Sequence, residues 1–179
     1  MNPANADYHN LILNYVAPRL VAQGADGFYL DNLEIVEHGM STTNGPCDSA
    51  RRQGSRDLVY LLRQKYPKLL IVMQNATSDV MCLGMTNGMP FNSLLDGIVH
   101  EEVYQPNADP TAETQLRNWE KLALSPSGNP FWIGTLDYVG TCSNVSAAQN
   151  AYATNRSRGF SPYASDASAG QNVVCHWGF

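Results

Sequence analysis

The 179-residue sequence lacks the features of membrane proteins and of most nucleic-acid-binding proteins. It has no run of about 18 apolar residues, so no membrane-spanning helix is expected. Lys and Arg number 11 against 16 Asp and Glu, a net charge of -5, whereas a nucleic-acid-binding surface would be basic. The first residues, MNPANADYHN, have neither the basic nor the apolar region of a signal peptide. We therefore expect either an intracellular protein or one whose leader is not part of this sequence.

Several catalytic motifs are also missing. The sequence contains no Walker loop, no G-x-G-x-x-G and no H-E-x-x-H, which argues against nucleotide and zinc-peptidase sites. It has no G-x-S-x-G, the motif that presents the nucleophile of many serine hydrolases. It has no C-x-x-C pair either, which argues against a structural zinc site. The sequence therefore predicts chemistry that needs neither a metal ion nor a cofactor.

Helical and strand patterns alternate along the chain. Apolar residues recur at helical spacing at about 6–22, 50–65, 111–124 and 146–157. Between and after these segments lie short apolar runs typical of strands buried on both faces: DGFYLDN, KLLIVMQN, LLDGIVHEEVY, PFWIGTLDYV and GFSPYAS. Strands separated by helices pair in parallel. The pattern predicts an α/β fold, either a (β/α) barrel or an open doubly wound sheet.

Polar residues stand at or just after the ends of these strands. In both arrangements the carboxyl ends of the strands meet at one edge of the sheet, which is where ligands bind. The side chains expected to gather there are Asp31, Asn75, Glu101, Asp137 and Tyr138.

Asp31 and Glu101 form a candidate catalytic pair. They follow Asp26 and Asp96, the first residues of two Asp-Gly pairs, by the same five positions, which suggests equal height on their strands. One strand lies between them, so in a barrel both belong to one layer of inward side chains. A strand spacing of roughly 4.8 Å separates their backbones by about 9–10 Å, leaving the carboxyl groups at a distance that glycosidases use. The alternative is two solvated acids at strand ends, since Asp-Gly pairs are common in turns.

The neighbours of this pair have alternative interpretations. His100 is expected to be a packed or hydrogen-bonded strand residue rather than a catalyst. Tyr138 could support a charge or stack on a sugar, or it could pack at the rim of the barrel. Glu101 and Glu102 are adjacent, so in a regular strand they point to opposite faces and only one of them faces the site.

Five motifs, in this order, resemble glycoside hydrolase family 114: GADGFYLDN, LLIVMQNA, LLDGIVHEEVY, FWIGTLDYV and RGFSPYAS. The resemblance covers nearly the whole chain and implies a TIM-like barrel with endo-alpha-1,4-polygalactosaminidase activity. The Asp and Glu of the family pattern map to Asp31 and Glu101. Glu34 is the nearest match to a second acid that often follows that Asp. The family Glu is usually followed by Ser, whereas Glu102 stands there in this chain.

The resemblance also implies that the barrel is partial. A complete barrel of this type has eight strands and roughly 200–250 residues. The five strands predicted here correspond to strands four to eight, so strands one to three would be missing and an open edge would lie beside DGFYLDN. The predicted fold class is therefore α/β, a partial parallel (β/α) barrel of TIM type, with residues 1–179 in a single domain.

The function implied is hydrolysis of an amino-sugar polymer, alpha-1,4-linked galactosamine, with the polysaccharide as the predicted partner. Asp31 is expected to be the nucleophile or base. Glu101 is expected to be the general acid, because its apolar neighbours, such as Ile98 and Val99, would raise the pKa of its carboxyl group. The residues expected to bind substrate are Asn32, Glu34, Asn75, Glu102, Asp137 and Tyr138.

Two other functions are left open by the sequence. The chain could be a non-catalytic carbohydrate-binding protein or a truncated structural barrel fragment, since three strands are predicted to be missing. It could also be a barrel enzyme of other chemistry, such as a lyase or an aldolase. An aldolase needs a Lys at a strand end, and none of the predicted strands ends in Lys.

The four cysteines suit either two disulfides in a secreted protein or four free thiols. Cys47 and Cys82 follow the first two predicted strands, and Cys142 and Cys175 follow the last two, so each pair lies on one face of neighbouring βα units. The placement predicts the disulfides Cys47–Cys82 and Cys142–Cys175. We accordingly predict a secreted protein, with a cytoplasmic one as the alternative.

Overall fold

The computed structural model describes residues 2–31, 33, 41–42, 45–46, 49–123, 125–166 and 173–179. Within them, five parallel strands form one sheet in chain order: Gly27–Leu30 (β1), Leu70–Gln74 (β2), Gly97–Glu101 (β3), Trp132–Tyr138 (β4) and Ser161–Ser165 (β5). The prediction of a parallel α/β fold with five strands is confirmed. The sheet does not close on itself among the described residues, which agrees with a partial barrel.

One helix precedes β1, and the others lie in the connections between successive strands. The first helix, α1, is continuous through Ala6–Leu11, the π-helical turn Ile12–Val16 and Ala17–Ala22. The others are Ser49–Lys65 (α2), Asp79–Cys82 (α3), Pro110–Leu122 (α4) and Val145–Ser157 (α5). The smaller elements are the 3₁₀ turn Phe91–Ser93 and two hairpins, Ser41–Thr42 with Gly45–Pro46 and Met85–Thr86 with Met89–Pro90.

Local signals in the sequence set the ends of these helices. The carboxylate of Asp109 caps α4 by accepting hydrogen bonds from the backbone N–H groups of Thr111 (2.8 Å) and Ala112 (3.1 Å). Beyond α1 and α5 the chain turns at Gly24 (φ +90°) and Gly159 (φ +82°), a conformation that glycine adopts without steric cost.

The main core lies between the sheet and the helices. Alternate strand residues point to this outer face, among them Ile71, Met73 and Ile98, all fully buried. They pack in one cluster with apolar residues of the helices, such as Leu62 of α2 and Trp119 of α4. Burial of side chains of this size stabilises the fold by roughly 1.5–3 kcal/mol each, so this interface accounts for most of the hydrophobic stabilisation.

A buried ion pair fixes the start of β3 against α2 and β2. The carboxylate of Asp96 accepts hydrogen bonds from Arg63 Nη2 (2.5 Å), from the backbone N–H of Ile71 (2.9 Å) and from Ser125 Oγ (3.0 Å). Burial alone would raise the pKa of Asp96, but these hydrogen bonds and the charge of Arg63 outweigh burial and lower it. Asp96, the first residue of the second Asp-Gly pair, is thus a structural carboxylate.

Part of the opposite, inner face of the sheet is uncovered. It carries Tyr29, Trp132 and Tyr163, whose exposed fractions are 55%, 44% and 37%. The ring of Trp132 lies against the sheet, where a Cβ added to Gly134 would come within 2.5 Å of it. These aromatic residues line an open trough of about 310 Å³ together with Val99 and other inner-face residues. The inner face therefore exposes apolar surface that a closed barrel would bury.

One of the two predicted disulfides is present. Cys142 and Cys175 are bonded, with their Cα atoms 5.1 Å apart. The prediction of a Cys47–Cys82 bond is wrong, because Cys82 is a free thiol with no exposed surface. Its Sγ lies in the core, 3.9 Å from the amide nitrogen of Asn92. Cys47 itself lies outside the described residues.

Among the described residues, no helix combines the length and the apolar character needed to cross a bilayer.

The exposed inner face should bind apolar dyes and promote self-association. We expect 1-anilinonaphthalene-8-sulfonate to fluoresce with the folded chain, and sedimentation to show species larger than a monomer. Trp132→Ser should reduce dye binding. Leu122→Ser, which alters a residue on α4 of nearly equal exposure (45%), should leave dye binding unchanged. A monomeric protein that binds no dye would contradict this description of the inner face.

The Cys142–Cys175 disulfide should account for the sensitivity of the protein to reductant. Reduction should lower the free energy of unfolding by about 2–4 kcal/mol, measured by denaturant titration. Cys142→Ser should show the same loss, with no further loss on reduction, whereas Cys82→Ser should still respond to reductant. If Cys142→Ser remains as sensitive to reductant as the native chain, another bond carries the effect.

Candidate active site

The candidate site is built around Glu101, the last residue of β3. Its carboxylate accepts a hydrogen bond at Oε1 from the hydroxyl of Tyr138 (2.6 Å) and one at Oε2 from the amide Nδ2 of Asn75 (3.0 Å). Tyr138 is the last residue of β4, and Asn75 directly follows β2. The sheet thus brings together three of the predicted site residues, one from each of three neighbouring strands.

Asn75 is held by its backbone as well as by its side chain. Its N–H donates to the carbonyl of Val99 (2.7 Å), and its Oδ1 accepts the backbone N–H of Glu101 (3.1 Å). Its φ of +54° lies in the left-handed region, which asparagine tolerates better than most residues. This turn at the end of β2 directs both polar atoms of the Asn75 side chain toward Glu101.

Asp31 follows β1 and is exposed. Tyr29, two positions earlier, lies on the inner face, where its hydroxyl donates to Oε1 of Gln74. Burial raises the pKa of Tyr29, and the negative charges of Asp31 and Glu101 raise it further, to about 12. The phenol of Tyr29 therefore lies within the electrostatic field of both carboxylates of the predicted pair.

The pairing register gives the offset of Asp31 and Glu101 along their strands. Leu30 pairs with Met73, which pairs with Ile98, so Asp31 comes level in register with the residue after Ile98. Glu101 lies two positions further along β3, about 6–7 Å along the strand. Strands of a barrel-type sheet are tilted and staggered, so an offset along the strands is not a difference in height, and the equal height of the two carboxylates stays a prediction.

Glu101 and Glu102 line the same cavity, contrary to the expectation for a regular strand. Glu102 has a φ of +56°, and its N–H donates to the carbonyl of Leu136 (2.8 Å), so the alternation of side chains stops at the end of β3. Both glutamates border a cavity of about 340 Å³, together with His100 and residues 106–110. Glu102 is exposed beside this loop.

Asp137 must be reassigned from substrate binding to anchoring this loop. Its side chain is completely buried, because Tyr138 points to the inner face and the preceding residue must point to the helices. Oδ1 accepts the backbone N–H groups of Tyr104 (2.7 Å) and Gln105 (2.9 Å), and Oδ2 accepts the amide of Asn155 in α5 (2.8 Å). Asp137 thereby fixes one wall of the cavity without reaching it.

The remaining predicted residues are placed as follows. Asn32 and Glu34 lie outside the described residues. His100 is hydrogen-bonded as predicted, with its Nδ1 2.6 Å from the carbonyl oxygen of Glu101. Sequence reasoning missed Tyr29 and Gln74, although strand alternation counted back from Asp31 would have placed Tyr29 on the inner face. Among the described residues, no three His, Cys, Asp or Glu side chains are grouped to hold a metal ion.

Comparison with solved structures gives matches to glycoside hydrolase domains. The chain is similar to the glycoside hydrolase domain of PelA from Pseudomonas aeruginosa, with a TM-score of 0.63 and 19% identity. A variant of that domain matches with a TM-score of 0.65 and 17% identity. Each match covers 99% of this chain and 67% of the other. No protein family and no curated protein sequence matches the chain. At this identity the likeness shows that the chain shares the fold of these domains.

The titration of Tyr29 offers a test of how the two carboxylates are placed. Asp31→Asn and Glu101→Gln should each lower the pKa of Tyr29 from about 12, because each removes a negative charge that opposes ionisation. Since burial is the larger cause, the pKa should stay above the ordinary value of 10. NMR of ring-labelled tyrosine would follow it, with Glu120→Gln on α4 as the control. An unchanged pKa in both site variants would place the carboxylates away from Tyr29.

Proposed function

We propose that the chain is a glycoside hydrolase in which Asp31 and Glu101 are the catalytic pair. The supporting observation is that both residues stand at the carboxyl ends of neighbouring parts of one parallel sheet, which has the fold of a glycoside hydrolase domain. Active sites of barrel enzymes lie at this edge. Asp31 is exposed and Glu101 borders a cavity, so both are accessible to a polymer bound from outside.

A pair of carboxyl groups is sufficient for glycoside hydrolysis. One group protonates the glycosidic oxygen as its bond to the anomeric carbon breaks. The other attacks that carbon directly, or removes a proton from the water molecule that attacks it. Neither route requires a metal ion or a cofactor.

The proposed substrate is a polymer of alpha-1,4-linked galactosamine, as the resemblance of the sequence implies. A protonated amino sugar is a cation, and the net charge of -5 favours its approach. Glu102 and Asp109 add carboxylates to the lining of the cavity beside Glu101. We propose Asn32, Glu34 and Glu102 as further substrate-binding residues. We also propose Asn75 and Tyr138, which contact Glu101, as substrate-binding residues.

We further propose that residues 1–179 are part of a single (β/α) barrel domain and that the protein is secreted. The open inner face supports the first statement, because a parallel sheet of this kind is normally covered on both sides. The Cys142–Cys175 disulfide supports the second, because such bonds persist in oxidising compartments.

A non-catalytic role is the second candidate. The observation that favours it is the open sheet of five strands, whose uncovered inner face lies below the site. In that case the chain would bind an amino-sugar polymer without cleaving it.

The central experiment measures new reducing ends released from polygalactosamine. Asp31→Asn and Glu101→Gln should each lower kcat/KM by about a hundredfold or more, the usual effect of removing a general acid or base. Glu102→Gln should change kcat by less than about tenfold and act mainly on KM, as expected for uniform binding. Glu120→Gln, an exposed acid on α4, is the control and should behave as the native chain.

Three outcomes distinguish the candidates. Loss of hydrolysis in the Asp31 and Glu101 variants alone supports the catalytic pair. Binding of the polymer without hydrolysis by the native chain favours the non-catalytic role. Hydrolysis that survives in both variants would exclude this pair as the catalytic groups.

A further inference from the structure

A second groove opens beside the cavity that Glu101 borders. It has a volume of about 650 Å³ and lies between the start of α3 and the first turns of α4. Both helices follow neighbouring strands, α3 coming after β2 and α4 after β3. Pro110 lines this groove and also the cavity of Glu101, so the two spaces meet at the start of α4. We call the second space the α3–α4 groove.

The α3–α4 groove is open because α3 is too short to cover α4. Helix α3 is a single turn of four residues, whereas α4 has 13. On α4, Ala112, Leu116 and Trp119 are buried in the core. A neighbouring stripe at helical spacing lines the groove and is polar throughout: Thr111, Thr114, Gln115 and Asn118. From Thr111 to Asn118 this stripe extends about 10 Å along the helix, which is longer than one sugar ring.

The lining suits a ligand that is rich in hydroxyl groups and carries positive charge. Besides the polar stripe of α4, Ser78 and Asp79 line the groove from the start of α3. Hydroxyl and amide groups both donate and accept hydrogen bonds, as sugar hydroxyls do. Val80 and Pro110 add apolar surface for the C–H groups of a sugar ring. Among the described residues that line the groove none is Lys or Arg, so it favours a cation over an anion.

Asp79 is the lining residue that can bind a positive charge. It is exposed, and its Oδ1 accepts a hydrogen bond from Nδ2 of Asn118 on α4 (3.2 Å). This contact orients the carboxylate from the α4 side. Its other oxygen, Oδ2, makes no hydrogen bond with the described residues, so it can accept one from an ammonium group of a ligand.

The floor of the groove is fixed to the candidate active site. The hydroxyl of Thr77 donates to Oε1 of Gln115 (2.5 Å), and the carbonyl of Thr77 accepts the indole N–H of Trp119 (2.9 Å). Thr77 is buried and stands two positions after Asn75, which contacts Glu101. The same short segment therefore holds a partner of Glu101 at one end and the groove at the other, which keeps the two binding surfaces in a constant relation.

We propose that the α3–α4 groove is a distal subsite for the amino-sugar polymer, in which Asp79 binds the ammonium group of one sugar residue. The hydroxyl and amide groups of the α4 stripe bind the hydroxyl groups of the same part of the polymer. This inference rests on the proposed function and names where the polymer lies beyond the cavity of Glu101. A second point of attachment on one polymer raises affinity through effective concentration.

The first test measures the binding of defined oligomers by isothermal titration calorimetry. Every chain carries Glu101→Gln, so that the oligomers are not consumed. Asp79→Asn keeps an oxygen for Asn118 and removes the charge. It should weaken the binding of an octamer of alpha-1,4-linked galactosamine about fivefold, as expected for an exposed ion pair. The fully N-acetylated octamer has no ammonium groups, so its binding should not respond to Asp79→Asn.

Glu120→Gln is the matched control for charge. It removes the same charge from α4 at an exposed position that does not line the groove. The octamer should bind this variant as tightly as it binds the parent chain. An equal loss of affinity in Glu120→Gln would show that net charge rather than the groove sets the affinity. That result, or unchanged binding in Asp79→Asn, overturns the subsite.

The second test closes the groove without changing charge. Thr114 is exposed on the polar stripe, so Thr114→Trp places an indole in the space that the sugar would occupy. The affinity for the octamer should fall by about tenfold or more. Gln149→Trp adds the same side chain at an exposed position of α5 and should leave the affinity unchanged. Binding to Thr114→Trp that is as tight as binding to Gln149→Trp, or tighter, overturns the subsite.

Hydrolysis of the octamer by the chain with Glu101 intact separates failure of the subsite from failure of the proposed function. If the octamer is cleaved and the groove variants bind it as their controls do, the subsite is wrong and the hydrolase stands. If the groove variants weaken the binding of an octamer that is never cleaved, the subsite is supported and the hydrolase is wrong. An octamer that does not bind the chain at all overturns the subsite.

Discussion

Parallel pairing of the five strands is the constraint on which the rest of the structure depends. A parallel strand can follow its neighbour only after the chain has crossed back, and the crossovers place α2, α4 and α5 on the outer face of the sheet. The apolar side chains of this face are buried against those helices. Among the described residues the inner face receives no helix from these connections, so Tyr29, Trp132 and Tyr163 stay exposed there.

The same constraint collects the polar residues into one place. Every strand runs in the same direction, so Asp31, Asn75, Glu101 and Tyr138 all come to the carboxyl edge of the sheet. Charge is tolerated there because backbone pairing ends and polar partners become available. At the opposite end of β3, the buried carboxylate of Asp96 depends on Arg63 and on the backbone N–H of Ile71. One strand is thus held by a structural carboxylate at its start and carries the candidate catalytic carboxylate at its end.

Residues near the site divide between chemistry and support according to the face on which they lie. Glu101 and Tyr138 point to the inner face and contact each other. Asp137, one position before Tyr138, points to the helices and anchors the loop that forms the wall of the cavity. The acid of β4 that looked like a site residue in the sequence therefore supports the site from behind. Its burial is compensated by three hydrogen bonds, as a buried carboxylate requires.

The residues of the candidate site could be chosen from strand ends, whereas their contacts depend on register. The strands GFYL and GIVHE are each recognisable from their apolar runs, so Asp31 and Glu101 could be named as candidates. Their offset along the strands could not be predicted, because register is set by the pairing of distant segments and leaves no mark in either of them. The left-handed turn at Glu102, which brings two glutamates to one cavity, is likewise set by its hydrogen bond to β4.

The sequence by itself determined the order and type of the elements, the parallel sheet and the edge at which the polar residues gather. These features follow from short-range patterns: apolar spacing, glycines beyond helix ends and the need for crossovers. Only the tertiary structure decided which polar side chain meets which. The contact of Glu101 with Asn75 and Tyr138, the burial of Asp137 and the free thiol of Cys82 depend on register, on the face of each strand and on local backbone angles. Those quantities result from the packing of distant segments, which no local pattern in the chain encodes.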